Sequence, residues 1–152
     1  MNTIQITTLQ SYLHRQIPLS QAMGVQVHAA TEERVELRAP IGPNINHEAT
    51  VFGGSASAVA ILSAWTLVYL RLQASGLPGR VVIQANNMLY QKPMSAAFSA
   101  IASSGDERSW ERLFNAVRRG RMARITVQSV LECEGKQAGQ LEGTFVVLLP
   151  DA

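Results

Sequence analysis

Residues 51–72 read VFGGSASAVAILSAWTLVYLRL, and the reading of this run decides the fold. It opens on a Gly-Gly-Ser turn and carries no charged side chain until Arg71. Such a run is either a membrane span or a helix buried on all sides by its own protein. The flanking sequence chooses between the two.

Upstream, residues 25–28 and 34–39 alternate in the period of a strand, with Val35, Leu37 and Ala39 on one face. The gap at residues 31–33 suits a hairpin. Pro40, Gly42 and Pro43 end the second strand and begin a polar loop, NINHEAT, at residues 44–50. Ahead of these strands, Leu9, Tyr12, Leu13 and Ile17 fall at helical spacing, and Pro18 and Gly24 close a short helical flap over residues 1–23.

Downstream, SGLPG at residues 75–79 stops the central helix, which is expected over about residues 54–74. Residues 81–90 read as a strand buried on much of both faces, interrupted by Asn86 and Asn87, and Pro93 ends it. Residues 97–103 form a fourth strand. Trp110, Leu113, Phe114 and Val117 recur at i, i+3, i+4 and i+7, which predicts an amphipathic helix over residues 106–119, inserted between strands and ended by Gly120. Residues 123–133 alternate cleanly, Glu134-Gly135-Lys136 makes a turn, and residues 141–149 form the last strand.

Strands and helices are therefore segregated rather than alternating, which predicts an α+β fold with a mostly antiparallel sheet. Six short strands can curl around one helix and bury it without lipid. A membrane span here would strand two half-domains on opposite sides, where neither closes a core. The reading is a single domain over residues 1–152 with no membrane span.

Composition agrees. Of 152 residues, 47% are hydrophobic and 16% charged, as in a globular chain. The formal net charge of +2 argues against binding nucleic acid through broad electrostatics, so no nucleic-acid partner is expected. Arg outnumbers Lys by 11 to 2, which suits local, bidentate contacts to phosphate or carboxylate. A lone cysteine, Cys133, allows no intrachain disulfide, and the first residues lack a basic stretch followed by an apolar one. Both point to the cytoplasm. No His or Cys cluster suggests a metal.

A long apolar helix wrapped by an antiparallel sheet, entered through an Asn-containing loop and Gly-Gly, resembles the hotdog fold of thioesterases and acyl-thioester dehydratases. Asn46 is followed six residues later by Phe52-Gly53-Gly54, where many hotdog thioesterases have His-Gly-Gly. Asn87-Met-Leu-Tyr90-Gln-Lys-Pro93 matches a strand pattern of the family. Arg119-Gly120-Arg121 sits where a basic Gly-Arg pair commonly opens a strand near the phosphates of coenzyme A. The run NINHEATVFGGS, with Ala-Trp in the helix and RRGRMARI later, is most similar to the thioesterase-type domain at the C-terminus of YiiD-type proteins, over roughly residues 20–150. In those proteins an acetyltransferase domain comes first, so this chain would be the free-standing form.

Two departures bear on chemistry. The family histidine is Phe52 here, and the acid that many members carry nine positions later is Ile61. No Asp or Glu occurs from Val51 through Leu77. The hydrolytic mechanism that uses a helix carboxylate therefore does not transfer.

The candidates each have a plainer alternative. Backbone N–H groups of Gly53 and Gly54, with Ser55, could polarise a thioester carbonyl at the helix dipole, or the glycines merely permit a tight turn. Asn46 could orient water, or close an Asx-turn. His47 or Glu48 could be the general base, or both are solvated loop residues. Thr50 is expected to cap the helix, with water binding as the alternative. Asn86 or Asn87 must find partners or face the pocket. Arg119, Gly120 and Arg121 could hold carrier phosphates, with Arg80 a lesser candidate, or the cations simply complement a helix C-terminus. Cys133 reads as core.

The resemblance implies a thioesterase acting on acyl-coenzyme A or an acyl carrier protein thioester, with coenzyme A or phosphopantetheine present as part of the substrate and no separate cofactor. It also implies a homodimer, or a dimer of dimers, whose sites form across the interface. An acyl-thioester or lipid-binding module without catalysis is the alternative that the missing acid keeps open.

Overall fold

The computed structural model describes residues 1–151. Its elements in chain order are α1 (Thr3–Gln16), α2 (Pro18–Ala22), β1 (Gln26–Ala30), β2 (Arg34–Ala39), a 3-10 turn (Gly42–Asn44), α3 (Gly53–Ser75), β3 (Arg80–Tyr90), β4 (Phe98–Ser103), α4 (Glu107–Arg118), β5 (Ala123–Cys133) and β6 (Lys136–Leu148). The six strands form one sheet in the order β1-β2-β4-β5-β6-β3, with every neighbouring pair antiparallel.

The central run is helix α3, packed against β2, β3, β4, β5 and β6 of this sheet. It is long and apolar enough to cross a membrane by length and hydropathy, but the fold uses it as the core helix. Val59, Leu62, Leu67, Val68 and Leu72 are buried against the inward phases of the strands, Val35 and Leu37 of β2, Ile125 and Val127 of β5, and Leu141 and Phe145 of β6. Each such side chain contributes roughly 1.5–3 kcal/mol on burial, which is why the helix needs no lipid. Gly76 ends α3 in the left-handed conformation at φ 67°, which an L side chain resists.

One polar pair crosses the core. Ser63 Oγ of α3 donates to the Ala60 carbonyl at 2.8 Å and lies 2.6 Å from Ser129 Oγ of β5. Arg71 ties α3 to its surroundings at the other end. Its guanidinium donates to both carboxylate oxygens of Glu107 at 2.9 and 2.7 Å and to the Glu32 carbonyl, and it lies 4.5 Å from the Trp110 ring centre. Trp110 is fully buried, as the helical spacing of α4 predicts, and Asp106 caps that helix by accepting from the Arg108 N–H.

Two strand readings change. β6 starts at Lys136 rather than at residue 141, because Glu134 (φ 53°) and Gly135 (φ 76°) form a two-residue hairpin that pairs Cys133 with Lys136 immediately. The polar KQAGQ stretch gave no apolar alternation to mark this. β3 is not buried on both faces. It is an edge strand, paired to β6 alone, as β1 is at the other edge, and Val82, Ile83, Leu89 and Tyr90 are exposed large apolar side chains. Apolar residues in both phases signal burial, and one chain does not supply it.

Candidate active site

The loop between β2 and α3 is built by two asparagines. Asn44 is buried and donates from Nδ2 to the Met23 carbonyl at 2.9 Å and the Pro40 carbonyl at 2.7 Å. Its own carbonyl accepts the Phe52 N–H at 2.7 Å. It thereby joins the end of α2, the end of β2 and the entry to α3. Nothing local in the sequence marks Asn44, which stands as one more polar residue after Pro43.

Asn46 closes the loop tip. Its Oδ1 accepts from the N–H groups of Glu48 and Thr50 at 2.9 and 3.1 Å, and its Nδ2 donates to Thr50 Oγ1 at 3.0 Å. Asn46 N–H donates to the Thr50 carbonyl, and an isolated bridge pairs Ile45 with Val51. This is the Asx-turn arrangement, and it engages Asn46 Oδ1 within the loop. Between these anchors Ala49 is held at φ 60°, a strained value for an alanine. His47 and Glu48 stand at the tip, His47 Nε2 lying 3.3 Å from Glu48 Oε1, with the imidazole 86% exposed.

Thr50 does not cap α3. The capping position is Phe52, which offers no side-chain acceptor, and the Thr50 hydroxyl is turned to Asn46 instead. Among the described residues the N–H groups of Gly53, Gly54 and Ser55 find no acceptor, so the first turn carries unpaired donors and the positive end of the helix dipole. Two exposed rings flank it. Tyr90 of β3 donates its hydroxyl to the Gly53 carbonyl at 3.2 Å. Phe52 lies over Gly54 so closely that a Cβ there would come within 2.3 Å of its ring. Gly54 is thus a close-approach glycine, whereas a Cβ on Gly53 would meet Tyr90 at an ordinary 3.5 Å. Ser55 is half-buried in the same turn.

The other candidates lie elsewhere. Asn87 pairs with exposed Glu142 on the outer face of the sheet, while Asn86 pairs with Gly143 and shares the inward phase of Leu141 and Phe145. Of the two, Asn86 is the one on the side of α3. Arg119, Gly120 (φ 71°) and Arg121 turn the chain from α4 into β5, and both arginines are exposed. Through the register, Ala123 of β5 pairs with Val147, which pairs with Val81 of β3. Tyr90, beside the start of α3, is nine residues further along β3, about 30 Å away at strand spacing. Arg80, at that same far end of β3, is exposed as well. Within one chain, then, the arginines and the unpaired donors stand at opposite ends. Cys133 is buried, with its thiol toward the Ala96 and Ala97 carbonyls, in keeping with a core role.

An antiparallel six-stranded sheet packed on one long central helix is the hotdog fold. Solved structures agree. The chain is similar to a putative thioesterase from Shewanella oneidensis, at 26% identity and a TM-score of 0.82, covering 94% of this chain and 96% of that one. It is similar to a protein of unknown function from Chlorobaculum tepidum, at 28% identity and a TM-score of 0.87, covering 95% and 94%. A thioesterase from Haemophilus influenzae shares the fold at 16% identity and a TM-score of 0.75, covering 95% and 90%. Residues 6–149 match the model of the family described as "Putative thioesterase (yiiD_Cterm)", and the chain belongs to that family.

Proposed function

We propose that the protein hydrolyses acyl thioesters of coenzyme A or of an acyl carrier protein. The supporting observation is the unpaired first turn of α3, in a chain whose family is a thioesterase family. A thioester carbonyl oxygen set against the Gly53 and Gly54 N–H groups is polarised, and the oxyanion that forms on attack is stabilised there. His47 takes a proton from water as the water oxygen bonds to the carbonyl carbon. The tetrahedral intermediate then collapses, the C–S bond breaks, and the leaving sulfur takes up the proton, giving a carboxylic acid and a free thiol. Asn46 and Thr50 hold the loop that carries His47.

The same reading makes the active unit a homodimer joined through β3. The exposed apolar residues and the unpaired edge of β3 support this, since an edge of that kind pairs with another strand. Pairing about a two-fold axis is antiparallel, so it carries Arg119 and Arg121 of a second copy toward the start of α3 in the first. There they would contact the phosphates of the carrier.

A panel of acyl-coenzyme A and acyl-phosphopantetheine substrates with thiol detection tests the activity. Turnover that His47→Ala abolishes, in a variant with unchanged thermal unfolding, is the expected result. Saturable binding with no thiol release from any substrate refutes hydrolysis and assigns a binding module, the reading that Ile61 in place of an acid favours. Light scattering on a sizing column is expected to give twice the 16.5 kDa chain mass, and Val82→Lys is expected to reduce it to one.

A further inference from the structure

Charge is unevenly distributed along the chain. Residues 107–124 hold six arginines, at positions 108, 112, 118, 119, 121 and 124, against Glu107 and Glu111. The rest of the chain carries seven basic residues against nine acidic ones, so a net charge of +2 conceals one strongly basic segment on an acidic remainder. All six arginines are exposed. On α4, Arg108, Arg112, Asn115 and Arg119 recur at spacings of four, three and four residues and so form one row, opposite buried Trp110, Leu113 and Val117. At 1.5 Å per residue the row is about 16 Å long.

These cations have only neutral partners. Elsewhere Glu36 pairs with Arg34 and Arg38, and Glu107 with Arg71. Among the described residues none of the six joins an ion pair. Arg112 donates to Ser109 Oγ and Arg118 to Asn115 Oδ1, both at 3.2 Å, and Arg124 donates to Gln84 Oε1 at 2.8 Å. Between α4 and β5 lies a hollow of about 340 Å³ with Arg112 on its helix wall and Arg124 on its strand wall, and no carboxylate lines it. Two cations facing one hollow repel each other, and a carboxylate set between them reverses that. The helix dipole accounts for Arg118 and Arg119 at the C-terminal end of α4. It disfavours Arg108 in the first turn and gives no reason for Arg112 or Arg124.

We propose that this arginine face docks an acidic carrier protein, which delivers the acyl group on its phosphopantetheine arm. The inference rests on the thioesterase reading above and names the carrier. Arg119 and Arg121 suffice for the phosphate of the arm. Arg112 and Arg108, on the row that leads away from them, and Arg124 across the hollow meet carboxylates of the carrier's own surface. The two-fold pairing through β3 sets this face of one copy beside the start of α3 in the other, where the arm delivers its thioester. A duplex or an anionic bilayer is a poorer fit, because either meets the acidic remainder of the chain as well as the row.

The test compares kcat/KM for octanoyl-coenzyme A with that for the octanoyl thioester of an acidic acyl carrier protein. The carrier-borne substrate is expected to be preferred at low salt, with a preference that salt diminishes. Arg112→Glu, from an exposed position, is expected to lower kcat/KM for the carrier-borne substrate by about tenfold or more, since like charges then face each other across the contact. Octanoyl-coenzyme A turnover and thermal unfolding should be unchanged. Arg112→Gln should give a smaller loss in the same direction. Arg15→Glu makes the same charge change on α1, away from the face, and should leave both substrates unaffected.

Equal kcat/KM for the two substrates, or a preference that Arg112→Glu leaves in place, overturns this inference while the thioesterase reading stands. Equal losses on both substrates in Arg112→Glu also overturn it, as does binding of phosphatidylcholine–phosphatidylserine vesicles or duplex DNA that Arg112→Glu abolishes while carrier turnover persists. Failure to cleave any acyl thioester overturns the thioesterase reading, and this inference with it.

Discussion

The Ser63–Ser129 pair allows a quantitative test of how α3 is registered in the sheet. Both residues are fully buried, and they meet across 66 positions of sequence. Ser63 has one proton, and it goes to the Ala60 carbonyl, so Ser129 is the donor in the 2.6 Å contact. The two single variants are therefore unequal. Ser129→Ala removes a donor, but Ser63 keeps its own bond, so the cost is about 1 kcal/mol. Ser63→Ala leaves the Ser129 hydroxyl in the core without an acceptor, at a cost of about 1–3 kcal/mol. Removing both hydroxyls leaves nothing unsatisfied, and the double variant should lie within about 1 kcal/mol of the starting protein. The coupling between the sites is thus of the order of 1–3 kcal/mol. Urea unfolding of all four proteins at one protein concentration measures it, since self-association would make stability depend on concentration. With a slope near 2 kcal/mol/M, Ser63→Ala should shift the midpoint by roughly 1 M. Single-variant losses that add to within about 0.5 kcal/mol in the double variant would refute the reasoning.

Three further outcomes are expected. Glu36 is buried, which pushes its pKa up, but hydrogen bonds from Arg38 and Arg34, with the nearby charges of Arg38 and His28, outweigh this and hold it below the ordinary glutamate value. Its stabilisation is therefore fully present above about pH 4.3 and is lost as pH falls through the lower folded value, so the stability gap to Glu36→Gln should shrink over that acid range. Ala49→Gly relieves the left-handed alanine in the loop and should raise stability by up to about 1 kcal/mol in thermal unfolding; a lower melting temperature would contradict the strain argument. Arg121→Ala should raise KM more than it lowers kcat, with a loss that salt diminishes, and an unchanged KM removes Arg121 from the carrier site.

Much of the site's framework is legible in local sequence. Gly53-Gly54 before an uncharged apolar run marks the helix start, because few other residues allow Phe52 to lie over the first turn. Trp110, Leu113 and Val117 identify α4 by spacing, and all three are buried. Thr50 illustrates the limit. Next to a helix start it looks like a cap, yet its hydroxyl faces Asn46, a choice made by the turn geometry of residues 46–50. Asn44 shows it again, since its partners Met23, Pro40 and Phe52 come from three separate segments.

By itself the sequence determined the class of fold, the central helix and the family, because these follow from periodicity, glycine placement and local motifs. Tertiary structure alone decided that β3 is an exposed edge, that Asn86 rather than Asn87 lies on the helix side, and that Arg119 and Arg121 stand about 30 Å from the start of α3. Strand order and register are long-range choices, set by which strands pair, and no window along the chain contains them. The opening run keeps its first reading as a buried helix. What pairing left less covered is one face of it, where Ala58, Ile61, Trp65 and Tyr69 are half-buried.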